Sequence, residues 1–197
     1  VYQPIAISEQ ESIRMKVSDG KPYFVYVGSI HPRKNIVRLL EAFDAFKTQT
    51  KSETKLIIVG RKAWQHDDVA ITLDKLASKN DILFLGHLSS EETASIVASS
   101  LAMCYVSLFE GFGIPIVEAQ QAGTAVITSN LSSMPEAAGE GAVLVDPNDT
   151  QAIANAMQRI FEEPLLRETL IQKGFENSKR FSWEKSARKL WEICIKP

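Results

Sequence analysis

Cysteine, histidine and segregated charge are all scarce in this 197-residue sequence, and each scarcity closes off a class of function. Cys104 and Cys194 are the only thiols, one in an apolar run and one in an apparent helix, with no C-x-x-C or zinc spacing. Both are therefore read as reduced, structural cysteines. His31, His66 and His87 fall in three separate loops and share no helix or strand, so no metal is expected. The 22 Lys and Arg are interspersed with 24 Asp and Glu for a formal charge of -2, which excludes the basic footprint of a nucleic-acid binder. No apolar run approaches the ~20 residues of a membrane-crossing helix, and "VYQPIAISEQ" lacks the basic and apolar regions of a signal peptide, so a cytoplasmic location is expected. The first apolar run is followed by neither G-x-G-x-x-G nor a P-loop, which argues against nicotinamide and flavin cofactors. The chain also opens at Val1 in what reads as mid-chain sequence, so a fragment is expected.

What is present is alternation. Short, β-branched apolar runs occupy Tyr23 to Gly28, Lys55 to Gly60, Ile82 to Gly86, Leu101 to Val106, Ala125 to Ser129 and Ala142 to Val145. Runs this continuous indicate strands covered on both faces. Between them lie segments of helical period, with Ile36, Leu39, Leu40 and Phe43 on one stripe and a Ser89-x-x-Glu92 capping box opening another. The fold class predicted is α/β: a doubly wound, mainly parallel, Rossmann-like sheet of about six strands with helices on both faces. A single domain is expected over 1–197, with a lead-in at 1–20 and C-terminal helices over 147–197, in which Trp183 and Trp191 are read as core anchors.

In such a sheet ligands bind at the carboxyl ends of the strands, so the loops that follow them carry the candidates. In "SIHPRKN", Arg33 and Lys34 precede a helix whose N-terminal amides attract anions; they either hold a phosphate or are solvated cations. His31 beside them is a phosphate contact or a polar loop residue, and His87 in "GHLSS" is similarly open. In "SLFEGFGIPIVEAQQAG", Gly111 and Gly113 permit close backbone approach and Pro115 suits a first helical turn. Glu110 and Glu118 flank that turn. Three readings stand: a glycosidase-like acid and nucleophile pair, carboxylates gripping ligand hydroxyls, or solvated and capping acids.

These loops, with "LIIVGRKAW", "EAQQAGTAVITSNLSSMPEAAGEGAVLVDPND" and "RFSWEKSARKLWEI", resemble the C-terminal, donor-binding domain of retaining GT-B glycosyltransferases of family 4, or group 1. The resemblance spans nearly the whole chain, and its most specific element is the E-x7-E pattern from Glu110 to Glu118. It implies that Glu118 grips the donor ribose, that Glu110 faces the hydroxyls of the transferred sugar, and that amides of Gly111, Phe112, Gly113 and Ile114 hold the distal phosphate and sugar. The backbone near Leu88 would read the nucleobase, and Lys34 would contact the diphosphate. Ser29 occupies the position where relatives carry an arginine, leaving Arg33 as the substitute cation. Thr124 replaces a frequent proline, without functional meaning. Glu110, Arg33 and Lys34 are the catalytic candidates implied, for retaining transfer from a nucleotide-diphosphate sugar without metal or cofactor. The "PRKN" loop leans toward GDP-mannose. The acceptor, a glycan, lipid-linked sugar or small molecule, would belong to a missing N-terminal domain, as would any contact with the inner face of a membrane. Alternatives are half of a nucleotide-sugar 2-epimerase, or a non-catalytic nucleotide-sugar-binding module.

Overall fold

The computed structural model describes residues 1–61 and 67–195, so the middle of the second candidate loop, with His66, lies outside the described residues. All six apolar runs form strands: β1 (Tyr23–Val27), β2 (Lys55–Val59), β3 (Ile82–Gly86), β4 (Ala102–Tyr105), β5 (Ala125–Ser129) and β6 (Ala142–Val145). They pair in the order β3-β2-β1-β4-β5-β6, every pair parallel. Burial follows position: the central strands β1, β2, β4 and β5 are almost wholly buried, whereas the edge strands β3 and β6 are only partly covered.

The helices are α1 (Ile7–Ser18), α2 (Ile36–Thr50), α3 (Asp67–Lys75), α4 (Ser90–Ala98), α5 (Ile114–Gln121), α6 (Met134–Ala138), α7 (Thr150–Glu162), α8 (Pro164–Ser178) and α9 (Trp183–Ile195). One face of the sheet carries α2 packed against α3 and α7; the other carries α1, α4, α5 and α8 in contiguous contact. The stripe read on α2 is buried, with Leu39, Leu40 and Phe43 fully inaccessible, each such side chain contributing roughly 1.5–3 kcal/mol over its exposed state. The capping box at α4 forms as read: the Ser89 hydroxyl accepts from the Glu92 amide at 3.1 Å, and the Glu92 carboxylate accepts from the Ser89 amide at 3.1 Å. Most of the expected lead-in is α1, which packs on α4 and donates from Arg14 Nε to the Ser99 carbonyl at 2.9 Å.

Two expectations fail on α9. Trp183 and Trp191 are 80% and 65% exposed, not core anchors, and Cys194 is exposed where Cys104 is buried. Sequence period identifies an amphipathic helix but not what its apolar side meets; every described residue of α9 is exposed.

Two glycines set the spacing of the sheet's carboxyl edge. At Gly60 (φ +149°) a Cβ would sit 1.8 Å from the Gly28 carbonyl oxygen, so the ends of β1 and β2 approach closer than any side chain allows. Gly60→Ala is therefore expected to force these strand ends apart and cost more than about 3 kcal/mol, read as a lowered urea midpoint. A midpoint within error of the parent would refute the packing described.

Candidate functional site

Strand order reverses direction between β1 and β4, which are adjacent, so the loops leaving them diverge to opposite faces and open a crevice. The first loop contains Arg33 and Lys34; the second contains Glu110. The two backbones are tied directly, since the Leu108 amide donates to the Arg33 carbonyl at 2.8 Å. Pro32–Lys34 form a short 3-10 turn, capped by His31 Nδ1, which accepts from the Arg33 amide at 3.3 Å. Asn35 then adopts a left-handed conformation, and its side-chain amide donates to the carbonyls of Val106 and Pro147, pinning the turn.

This turn brings both cations to one carboxylate. Arg33 Nη1 lies 2.6 Å from Glu110 Oε2, and Lys34 Nζ lies 2.5 Å from Glu110 Oε1. Lys34 Nζ also donates to the Tyr105 hydroxyl at 2.5 Å. Arg33 keeps 43% of its side chain exposed, whereas Lys34 and Glu110 retain only 8% and 9%. The reading of Lys34 as a solvated cation is thereby overturned. Burial alone would raise the Glu110 carboxyl, but hydrogen bonds from Lys34 and Arg33 outweigh it and hold the group below the usual carboxylate range. The bond to Glu110 raises Arg33, while burial pulls the Lys34 ammonium below the ordinary lysine value.

Past Glu110 the chain enters α5 through Gly113, whose φ of +102° favours glycine, with Pro115 in the first turn as read. Among the described residues, the amides of Gly111, Phe112, Gly113 and Ile114 donate to no protein acceptor. The Glu110 carbonyl instead accepts from Ser132 and Ser133 hydroxyls at 2.8 and 2.9 Å, and Phe112 packs edge-on to Phe181. These amides stand at a helix N-terminus, where partial positive charge concentrates.

Two cavities border the site. Ser29, His87 and Leu88 line one of about 340 Å³ with Gly28 and Arg61; Phe112, Ile114 and Glu118 line one of about 730 Å³ with Phe181 and Trp183. Tyr2 lines both. Burial raises the Glu118 carboxyl and the Tyr2 hydroxyl partly offsets this; the phenol itself is pushed up to about 12 by burial and by the Glu118 charge. The two glutamates are thus not one acid and nucleophile unit: both Glu110 oxygens are engaged by cations, while Glu118 faces a different cavity beside Tyr2.

The structure therefore brings Arg33, Lys34 and Glu110 into contact, places Ser29 with Leu88, and places Glu118 with Phe112 and Ile114. Tyr2 and Tyr105 carry no role in the sequence analysis, and Ser132 and Ser133 enter it only as part of the loop after β5. Tyr105 had a visible signal, a hydroxyl at the carboxyl end of an otherwise apolar strand; Tyr2, over a hundred positions from Glu118, had none.

The family model described as Glycosyl transferases group 1 matches residues 8–177. The O-antigen chain mannosyltransferase B of Escherichia coli is 33% identical over 162 residues, which is 82% of this chain and 42% of that protein. The chain spans under half the length of the curated relatives it matches. Among solved structures, the C-terminal domain of the group 1 family protein LpcC from Francisella tularensis superposes with a TM-score of 0.78 at 23% identity, covering 91% of this chain and 95% of that one. Anabaena HepE, solved with UDP-glucose, superposes with a TM-score of 0.86 at 20% identity, covering 97% of this chain and 53% of that one.

The opposed shifts of the two glutamates predict opposed pH effects. Glu110 is lowered, so its stabilisation is full above the unfolded value of about 4.3 and lost as pH falls through its folded value. Glu118 is raised, so its preference for the neutral form stabilises only at low pH and is lost as pH rises through its folded value. Glu110→Ala leaves the Lys34 ammonium without its charged partner and is expected to cost about 3 kcal/mol at neutral pH, a penalty that shrinks below about pH 4. Glu118→Gln is expected to raise the melting temperature at pH 7. Melting both variants from pH 3 to 8 checks this, and parallel profiles would refute it.

Proposed function

Because the chain belongs to the group 1 glycosyl transferases, we propose that it is the donor-binding half of a retaining glycosyltransferase of family 4, taking a nucleotide-diphosphate sugar. The observation that carries this reading is the cluster of Arg33, Lys34 and Glu110 at the strand-order switch, beside four unengaged amides at the α5 N-terminus. Diphosphate is the ligand such a place suits: two cations and a helix N-terminus supply positive charge without a metal ion. Arg33, the more exposed cation, is the first to meet the ligand, with Lys34 behind it. Glu110, relieved of one or both cations by the diphosphate, accepts from hydroxyls of the transferred sugar. The nucleoside spans the two cavities, with its ribose on Glu118 and its base against the backbone at Leu88 and Ser29.

In this reading the sugar leaves through an oxocarbenium-like transition state, and the departing diphosphate helps deprotonate the acceptor on the same face. The protein's part is charge stabilisation on the leaving group, so Arg33→Ala in the full-length protein is expected to raise the barrier by about 2.7–4 kcal/mol. The donor favoured is GDP-mannose, from the "PRKN" loop and from mannosyltransferase relatives. The acceptor lies on a domain outside these residues, which fits a chain spanning under half of its curated relatives.

Calorimetry of the 197-residue chain with GDP, UDP, ADP and their sugar conjugates, in excess chelator, tests the donor site. One nucleoside diphosphate is expected to bind without divalent metal. Glu118→Ala should weaken every nucleotide, by about 1.5–3 kcal/mol if it removes a hydrogen bond to a charged group. Glu110→Gln should spare the diphosphate and weaken only the nucleotide-sugar. Binding that returns only with magnesium, or equal losses in both variants, would overturn the assignment. The isolated chain should transfer no sugar, because near-attack geometry needs the acceptor held as well. Radiolabelled transfer within tenfold of the full-length rate, about 1.4 kcal/mol in barrier, would refute that division of labour.

A further inference from the structure

The Lys34 ammonium has two acceptors, and only one is charged. Glu110 Oε1 and the Tyr105 hydroxyl each lie 2.5 Å from Lys34 Nζ, which also sits 4.8 Å over the Tyr105 ring. Tyr105 is itself immobilised. It is 1% exposed at the end of β4, its carbonyl accepts from Thr128 Oγ1 at 2.7 Å, and its ring stacks on Tyr26 with centroids 6.2 Å apart and planes 14° from parallel. Tyr26 in turn donates its hydroxyl to the Ser29 carbonyl at 3.0 Å, so the two tyrosines join the floor of the first loop to β4.

We propose that Tyr105 is a positioning residue for diphosphate binding: its hydroxyl holds the Lys34 ammonium in the crevice when Glu110 turns from the lysine to the sugar. This rests on the donor-site reading above. An ammonium carries three donors and no acceptor, and one left buried without a partner is costly enough to withdraw or lose its proton. Glu110 is a poor permanent anchor, because its negative charge competes with phosphate for the same cation. A phenol is neutral, and burial pushes Tyr105 further toward its protonated form, so it accepts from the ammonium without cancelling the charge offered to the ligand. Among the described residues no other hydrogen-bond acceptor for Lys34 Nζ is present.

The test is the preference for a diphosphate over a monophosphate, measured by calorimetry of the 197-residue chain with GDP and GMP, and with UDP and UMP. Tyr105→Phe keeps the ring and removes the anchor. It is expected to reduce that preference about tenfold, and to have no further effect in a Lys34→Ala background, because both changes remove one interaction. An unchanged preference, or a loss of equal size in the Lys34→Ala background, overturns the proposal while leaving the donor site intact. Failure of the parent chain to bind any of the four nucleotides overturns the donor-site reading and the proposal with it. Should Tyr105→Phe not fold, lysine-ammonium NMR of Glu110→Gln decides. Slow exchange of the Lys34 ammonium protons supports anchoring by Tyr105, and exchange as fast as that of a surface lysine overturns it.

Discussion

One buried carboxylate crossing from the β4 loop to the β1 loop organises this molecule's functional edge. Glu110 is flanked by Lys34 and Arg33 in a place where it and Lys34 keep only 9% and 8% of their side-chain surface exposed. Removing such charges from water costs several kcal/mol per ion, so the cluster is tenable only with close geometry and a full set of partners. Those partners exist: Tyr105 for the lysine, the Phe109 carbonyl for the arginine at 3.1 Å, and two serine hydroxyls on the Glu110 backbone. The consequence is rigidity in the unliganded state. Both cations are held ready at the crevice and share one carboxylate, which offsets only part of their charge, so an anion binding there must compete with Glu110 for them.

The sheet explains why this cluster forms where it does. In the order β3-β2-β1-β4-β5-β6, β1 and β4 are neighbours in space but separated by two further strands in sequence. Their loops depart to opposite faces and leave their first residues side by side. Residues 33–34 and 110 therefore meet without any long side chain reaching across the surface, and Asn35 locks the meeting by bonding to carbonyls of Val106 and Pro147.

Much of this was legible in the sequence, for a physical reason. Strands buried on both faces must be continuously apolar, which made the central four conspicuous; the partly covered edge strands β3 and β6 are apolar as well, and a glycine-rich turn ending in proline favours a helix start. The sequence puts Glu110 in the loop after β4 and Glu118 one turn into α5, but not which cavity or cation each one meets. What the sequence did not carry was pairing. Two cations ahead of a helix look alike on paper, yet Lys34 turns inward to Tyr105 and Glu110 while Arg33 stays half exposed. Nor does amphipathic period reveal whether an apolar stripe has a partner, which is why Trp183 and Trp191 were misplaced in the core.

The two glutamates show how one loop and one helical turn separate two chemical characters. They are eight positions apart, yet Glu110 is driven toward its ionised form by cations and Glu118 toward its neutral form by burial. Environments that push like groups in opposite directions mark different duties. A carboxylate kept charged against two cations suits a site where charge is exchanged with an anionic ligand. The Glu118 carboxyl, half-buried in a cavity bordered by Tyr2, Ile114 and Val117, meets a neutral phenol there, so hydrogen-bond geometry rather than net charge dominates its surroundings.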